Sequence, residues 1–199
     1  MIYIQHRVNS IDALKTLAPQ LGVEIDIRSD LLNPGELHLS HDPWVRGDRF
    51  SDWLDVYKDK GFQGPIILNT KEDGLESRVL QLLQENKIEN FFFLDTAAPT
   101  LVRWSIREKL KKFAVRLSAY EPVAALEAFR GAAEWIWVDC FDTIPLPAST
   151  LDNLKPDFKI CLVSPELQGG SLDQISPFRN LLARADAVCT KQPERWIIQ

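Results

Sequence analysis

The sequence predicts a small (β/α)8 TIM-type barrel of parallel strands with an incomplete final helix. Three observations carry that prediction. Eight strand-like apolar runs alternate with helical segments, which argues for parallel strands joined by crossover helices. The runs are dense in Ile, Val, Phe and Leu, as strands covered by helices are. Polar residues recur at the C-terminal ends of the runs, where parallel α/β folds keep their function. At 199 residues the chain lies at the bottom of the size range of such barrels, about 200 and up, so its loops must be short. A doubly wound open sheet is the competing arrangement. No linker or low-complexity tract interrupts the chain, and residues 1–199 are expected to form one domain.

Each element has a local reason. "YIQHRV" reads as the first strand. "SIDALKTLAPQLG" reads as a helix: Ser10 can cap it, Ile11, Leu14, Leu17, Ala18 and Leu21 give an apolar face, and Gly22 ends it, with Pro19 distorting its last turn. "VEIDIRSD" is the second strand, and after the turn signal "NPGE" the segment "ELHLSHD" folds back beside it. "FSDWLDVYKDKG" is helical, with Ser51 as cap and Gly61 as stop. The alternation continues with strand "PIILNT", helix "GLESRVLQLLQENK", strand "NFFFLD" and a helix over residues 99–112. Then come strand "FAVRLS", helix "EPVAALEAFRG", strand "WIWVDCF" and a short helix at "ASTLDNL". Strand "KICLVSP", a helix over "LDQISPFRNLLARA" that Pro177 breaks or opens, and strand "DAVCTKQ" complete the eight.

Composition narrows the function classes. Apolar residues make up 45% and charged residues 26%, with a formal net charge of −5, the balance of a soluble globular protein. No Lys/Arg-dense stripe suggests nucleic acid. The basic run "REKLKKF" from Arg107 to Phe113 reads as a solvated helix C-terminus. No apolar run approaches the roughly 18 residues of a membrane span, and "MIYIQHRV" lacks the look of a secretory leader. Cys140, Cys161 and Cys189 are too few and too scattered for a disulfide framework and read as buried thiols of a cytoplasmic protein. Tryptophans 53, 104, 135, 137 and 196 read as packing residues, while Trp44 and Trp196 stand near strand ends where they could line a mouth.

The polar residues at the strand ends carry the chemistry. His6-Arg7 closes the first strand. Glu24, Asp26 and Arg28 alternate along one face of the second, opposite Val23, Ile25 and Ile27. The returning segment ends in His41-Asp42, and His38 before it reads as structural. Asn69 and Lys71 end the third strand; Asp95, Arg116, Ser118, Asp139, Ser164 and Lys191 end the later ones. Two carboxylates converging inside a barrel repel each other and are costly to desolvate. A hard cation, Mg²⁺ or Ca²⁺, resolves that conflict by taking their oxygens as ligands. Imidazoles beside it can serve as general acid and base. Arg7 and Lys71 can hold an anionic oxygen pair such as that of a phosphodiester.

The motifs His6-Arg7, Glu24-Ile25-Asp26 and His41-Asp42, in that order and on those strand ends, resemble the glycerophosphodiester phosphodiesterase family of the phospholipase C-like superfamily. The resemblance implies a (β/α)8 barrel hydrolysing a glycerol- or polyol-phosphodiester, small or polymeric, with a divalent cation. A substrate hydroxyl beside the phosphorus can attack first, and water opens the resulting cyclic phosphate. Carried over, His6 and His41 are the acid/base pair, Arg7 and Lys71 contact the phosphate, and Glu24 and Asp26 bind the metal. The chain departs from the family pattern in its shortened first loop, where "NSIDAL" stands in place of "ENT", and at two single positions. Val8 follows His-Arg where the family has Gly, and Asn69 stands where a Glu completes the metal site, although Lys71 keeps its place. Asn69 offers the cation an uncharged oxygen; Glu72 or Asp95 are candidates to restore the missing charge. About ten residues separate His41-Asp42 from the next helix, which predicts an open mouth. The alternative from a different class is a non-catalytic barrel that binds a phosphorylated ligand or a protein partner. A nucleotide-binding open sheet is disfavoured, since no G-x-G-x-x-G or P-loop follows a strand.

Overall fold

A computed structural model describes residues 1–33, 35–141 and 147–197. In chain order it holds β1 (Ile2–Gln5), α1 (Ile11–Thr16), β2 (Gly22–Ser29), β3 (Leu37–Leu39), α2 (Phe50–Asp59), β4 (Ile66–Thr70), α3 (Glu76–Glu85), β5 (Phe91–Leu94) and α4 (Ala98–Leu101). These are followed by β6 (Ala114–Leu117), α5 (Val123–Glu127), β7 (Trp135–Val138), α6 (Ala148–Leu154), β8 (Lys159–Val163), α7 (Ile175–Phe178), β9 (Ala187–Thr190) and α8 (Pro193–Trp196). The chain divides into two compact units, His6–Thr100 and Met1–Gln5 with Leu101–Gln199.

In the unit His6–Thr100, β4 lies parallel to β2 from Val23↔Ile66 to Ile27↔Thr70 and parallel to β5 from Ile66↔Phe91 to Asn69↔Leu94. β3 runs back antiparallel on β2, pairing Ile27 with Leu39 and Ser29 with Leu37, as the sequence predicts. Pro34 of the turn signal lies outside the described residues; beside it, Gly35 takes a φ of +95°. Val23, Ile25 and Ile27 are fully buried, and so are Glu24 and Asp26 on the opposite face. The helix α2 brings Phe50, Trp53 and Tyr57 to one side at i, i+3, i+7 spacing. Trp53 stacks on Tyr57 at 5.4 Å, Tyr57 stacks on Phe62 at 4.9 Å, and the Trp53 indole donates to Val8 O at 3.0 Å. That ladder ties α2 to the loop after His6-Arg7.

Two helix boundaries differ from the sequence expectation. Ser10 does cap α1, its hydroxyl accepting from Ala13 N at 3.1 Å. The helix stops at Thr16, however, because Leu17 is already extended ahead of Pro19, and Gly22 opens β2 instead of ending a helix. Ser51 lies inside α2 and Arg49 precedes it without a side-chain cap, while Gly61 closes the helix with a φ of +64°. Replacing Ser10 by Ala is expected to cost about 1 kcal/mol, read as a lower midpoint in urea unfolding with an unchanged slope.

In the other unit the ladder runs β1–β9–β8–β7–β6, parallel throughout, with Ile2↔Ala187, Cys161↔Ala187, Trp135↔Lys159 and Ala114↔Trp135 in register. Its helices are shorter than the sequence suggests. The helix predicted over residues 99–112 is α4 followed by a π-helical turn, Val102–Arg107. The basic run therefore trails beyond the helix end, where Lys109 reverses the chain at a φ of +57°. α5 keeps five residues, Val123–Glu127, of the eleven predicted. Pro177 is the third residue of α7, with 3₁₀ turns on both sides (Leu172–Gln174 and Arg179–Arg184). Trp196, a candidate for lining a mouth, is instead fully buried, and its indole donates to Ser164 Oγ at 2.9 Å.

The strand-end polar residues of this unit are taken up by one another. Asp139 accepts from Arg116 and Gln168. Glu166 accepts from Ser164 Oγ, from Thr190 Oγ1 at 2.5 Å and from Lys191 N at 3.1 Å. The three cysteines are buried, and burial pushes the Cys140 thiol up to about 12. Among the described residues no helix is long and apolar enough to cross a membrane.

Candidate active site

Every candidate site residue belongs to the unit His6–Thr100; Glu24 and Asp26 lie within β2, and the others lie near or just beyond a strand end. β2 carries Glu24 and Asp26, and β4 sets Asn69 directly across from Asp26. Glu24 Oε2 accepts from the Arg7 backbone N–H at 2.8 Å and lies 3.7 Å from His6 Nε2. Its other oxygen accepts from Asn69 Nδ2 at 3.2 Å. Asp26 Oδ1 lies 2.8 Å from Lys71 Nζ, and Asp26 Oδ2 lies 3.9 Å from Arg7 Nε. His6, Arg7, Glu24, Asp26, Asn69 and Lys71 thus meet around one pair of buried acids. Burial first, and then the neighbouring Asp26, push Glu24 up to about 8, while the Arg7 N–H, Lys71 and Asn69 pull the other way.

None of the hydrogen bonds or ion pairs described for His41 joins it to this group. Arg28 donates to His41 O at 3.0 Å, and His41 Nδ1 lies 2.7 Å from Asp42 Oδ1. That hydrogen bond, with the fields of His41, Arg7 and Arg28, holds the Asp42 carboxyl below the usual carboxylate range. An Nδ1–H donated to Asp42 fixes the tautomer and leaves Nε2 as the nitrogen able to exchange a proton.

The oxygens present suit a hard cation. Glu24 and Asp26 supply two carboxylates, and Asn69 Oδ1 is a buried acceptor with no hydrogen-bond donor, the kind of oxygen that Mg²⁺ or Ca²⁺ takes. The set is short of charge: among the described residues no three or more His, Cys, Asp or Glu side chains converge as a metal cluster. Glu72 does not supply the missing acid, because it accepts from Ser29 Oγ at 2.5 Å and lies 3.5 Å from Arg28. Asp95 is exposed at the end of β5, with a φ of +58°.

Asn9 escaped sequence reasoning. Its amide closes a two-way clasp on Asp26: Nδ2 donates to Asp26 Oδ2 at 2.7 Å, and Oδ1 accepts from Asp26 N at 2.8 Å. Nothing in the spacing of "VNSID" marks that role. The replacement of Gly by Val8 also finds its explanation here. The positive φ falls one residue earlier, on Arg7 at +56°, so Val8 needs no special freedom. Val8 is buried, with its N–H on Glu24 O at 2.8 Å and its O accepting from Trp53.

The architecture is that of a (β/α)8 barrel, and comparison with solved structures bears this out. A provisionally assigned glycerophosphodiester phosphodiesterase from Galdieria sulphuraria matches with a TM-score of 0.75 over 98% of this chain and 95% of its own, at 13% identity. A phosphodiesterase from Oleispira antarctica, solved with its product sn-glycerol-3-phosphate, matches with a TM-score of 0.69, covering 98% and 95%, at 15% identity. A glycerophosphoryl diester phosphodiesterase from Parabacteroides distasonis gives 0.66, covering 98% and 84%, at 13% identity. No family model and no curated protein matches the sequence. What the chain shares with these three proteins is the fold.

Proposed function

We propose that this protein, as one barrel domain, is a metal-dependent phosphodiester hydrolase acting on a glycerol- or polyol-phosphodiester by His/His acid–base catalysis. The observation that supports this reading most is the meeting of His6, Arg7 and Lys71 around the buried Glu24–Asp26 pair. The barrel shared with phosphodiesterases, one of them solved with a glycerol phosphate, fits it. Glu24, Asp26 and Asn69 are the residues that would hold the divalent ion, Mg²⁺ or Ca²⁺. Bound there, it supplies positive charge to a phosphoryl oxygen. Arg7 and Lys71 hold the non-bridging oxygens, each N–H donating to an oxygen that gains charge as phosphorus becomes five-coordinate. One imidazole of the His6/His41 pair takes the proton of the attacking hydroxyl, and the other returns one to the departing alkoxide. Asp42 keeps His41 oriented for that exchange. Three buried cysteines suit a reducing compartment and support a cytoplasmic setting.

A second reading, a non-catalytic barrel that binds a phosphorylated ligand or a protein partner, draws on one specific observation. Protein groups already engage the acidic pair, with Asn69 on Glu24 and Lys71 and Asn9 on Asp26. Hydrolysis of bis(p-nitrophenyl) phosphate separates the two. The hydrolase reading expects turnover with Mg²⁺, Ca²⁺ or Mn²⁺ that EDTA removes. No turnover with any of the three, together with turnover gained by Asn69→Glu, would establish the non-catalytic reading.

A further inference from the structure

A groove of about 460 Å³ opens beside the candidate site within the same unit. Its lining includes the ion pair Arg28–Glu72, of which Arg28 donates to the His41 carbonyl and Glu72 follows Lys71 in the chain. Leu31, Leu32, Trp44 and Val45 stand among its other lining residues, together with the paired Asp30 and Arg46. The four apolar side chains are 73%, 79%, 88% and 55% exposed, an unusual density of open apolar surface for the fifteen residues from Leu31 to Val45. Leu31 and Leu32 follow β2 directly, and Trp44 and Val45 follow His41-Asp42 by two residues, so both walls are extensions of elements that carry site residues.

The walls are also held in place. Asp30 accepts from Leu32 N at 2.8 Å and pairs with Arg46 at 2.7 Å, tying one wall to the other. Ser40 Oγ donates to Asp42 O at 2.9 Å at the start of the His41 segment. At its end Gly47 presses on β3: a Cβ there would meet Leu39 O at 1.8 Å. Between these two stems Trp44 takes a φ of +67°, a conformation bulky residues seldom adopt. That backbone turns the indole outward over the groove rather than into the core.

We propose that the groove is an apolar subsite and that the substrate is an amphiphilic phosphodiester carrying one alkyl or acyl chain on the group esterified to phosphate. This rests on the hydrolase reading above and narrows it. The volume lies in the range of small-ligand sites, 300–1,000 Å³. Apolar walls beginning at a cationic Arg suit a molecule whose charged phosphate and hydrocarbon chain are joined end to end. A short polyol diester would leave Leu31, Leu32 and Trp44 in water.

The test uses p-nitrophenyl n-alkyl phosphodiesters from methyl to decyl, below their aggregation concentrations. In the wild type kcat/KM is expected to rise about two- to fourfold per methylene until the groove is filled. Leu32→Ser with Trp44→Ser flattens that rise and leaves the methyl diester unaffected. Hydrolysis without any dependence on chain length, a rise seen only once the diesters aggregate, or a rise untouched by the double variant would overturn the subsite. If no diester is cleaved, the hydrolase reading fails, and binding of monomeric dodecylphosphocholine, read from tryptophan fluorescence, decides the subsite separately. Saturable binding lost in the double variant supports it, and absence of binding overturns it.

Discussion

Replacing His41 by Ala is expected to lower kcat on bis(p-nitrophenyl) phosphate about 10²- to 10⁴-fold, the range for loss of a general acid or base. KM should change little, because the proposed reading assigns the substrate charge to Arg7 and Lys71. The side chain is 40% exposed and its described hydrogen bond is to an exposed Asp42, so the melting temperature should stay within a degree or two. That combination separates a chemical role from a structural one. His6→Ala should match it in kcat but also disturb the buried acids, since His6 Nε2 lies 3.7 Å from Glu24. An unchanged kcat in both variants would remove acid–base catalysis by these imidazoles from consideration.

Glu24→Gln is expected to abolish divalent binding and turnover and yet to stabilise the cation-free protein at alkaline pH. In the folded chain the Glu24 carboxyl titrates near 8 rather than at its ordinary 4.5. The folded state therefore keeps a proton that the unfolded chain releases. Its contribution to stability is complete below about pH 4.5 and is lost as the pH rises through about 8. Glutamine is neutral at every pH and removes that decline. In EDTA, the wild type should lose several more degrees of melting temperature between pH 5 and 9 than the variant does. Equal losses would show that Glu24 is not the source. Added Mg²⁺ or Ca²⁺ is expected to narrow that difference, since ligand at 100 times its Kd adds about 2.7 kcal/mol to the wild type alone. Because the ion must displace the Glu24 proton, its affinity should also improve as the pH rises toward 8.

The sequence made the sheet readable because each strand is a dense apolar run with a turn on either side. Six of the eight parallel strands fall inside their predicted runs, β1 and β2 each begin one residue earlier, at Ile2 and Gly22, and "ELHLSHD" pairs antiparallel with β2 as expected. Helix ends were harder to read. Gly22 looked like a helix stop and is the first residue of β2, because Pro19 ends the helix earlier through the residues before it. Seven polar residues of the site could be named because strand ends place them in one region, and six of them join around Glu24 and Asp26. Asn9 could not, since its clasp on Asp26 depends on how a loop folds back over β2. Trp44 and Trp196 show the same limit. Both follow strand-like segments, but one stands open at 88% exposure and the other is sealed against Ser164.

The close approach of Gly47 to Leu39 makes residues 43–46 interchangeable in principle. With Ser40 and Gly47 as fixed posts, the tip between them can be swapped or lengthened without re-aiming His41, and each doubling of such a loop costs only about 0.6 kcal/mol. If the proposed hydrolase reading holds, grafting other short tips between those posts is expected to change which diesters are cleaved while the acids and imidazoles stay where they are.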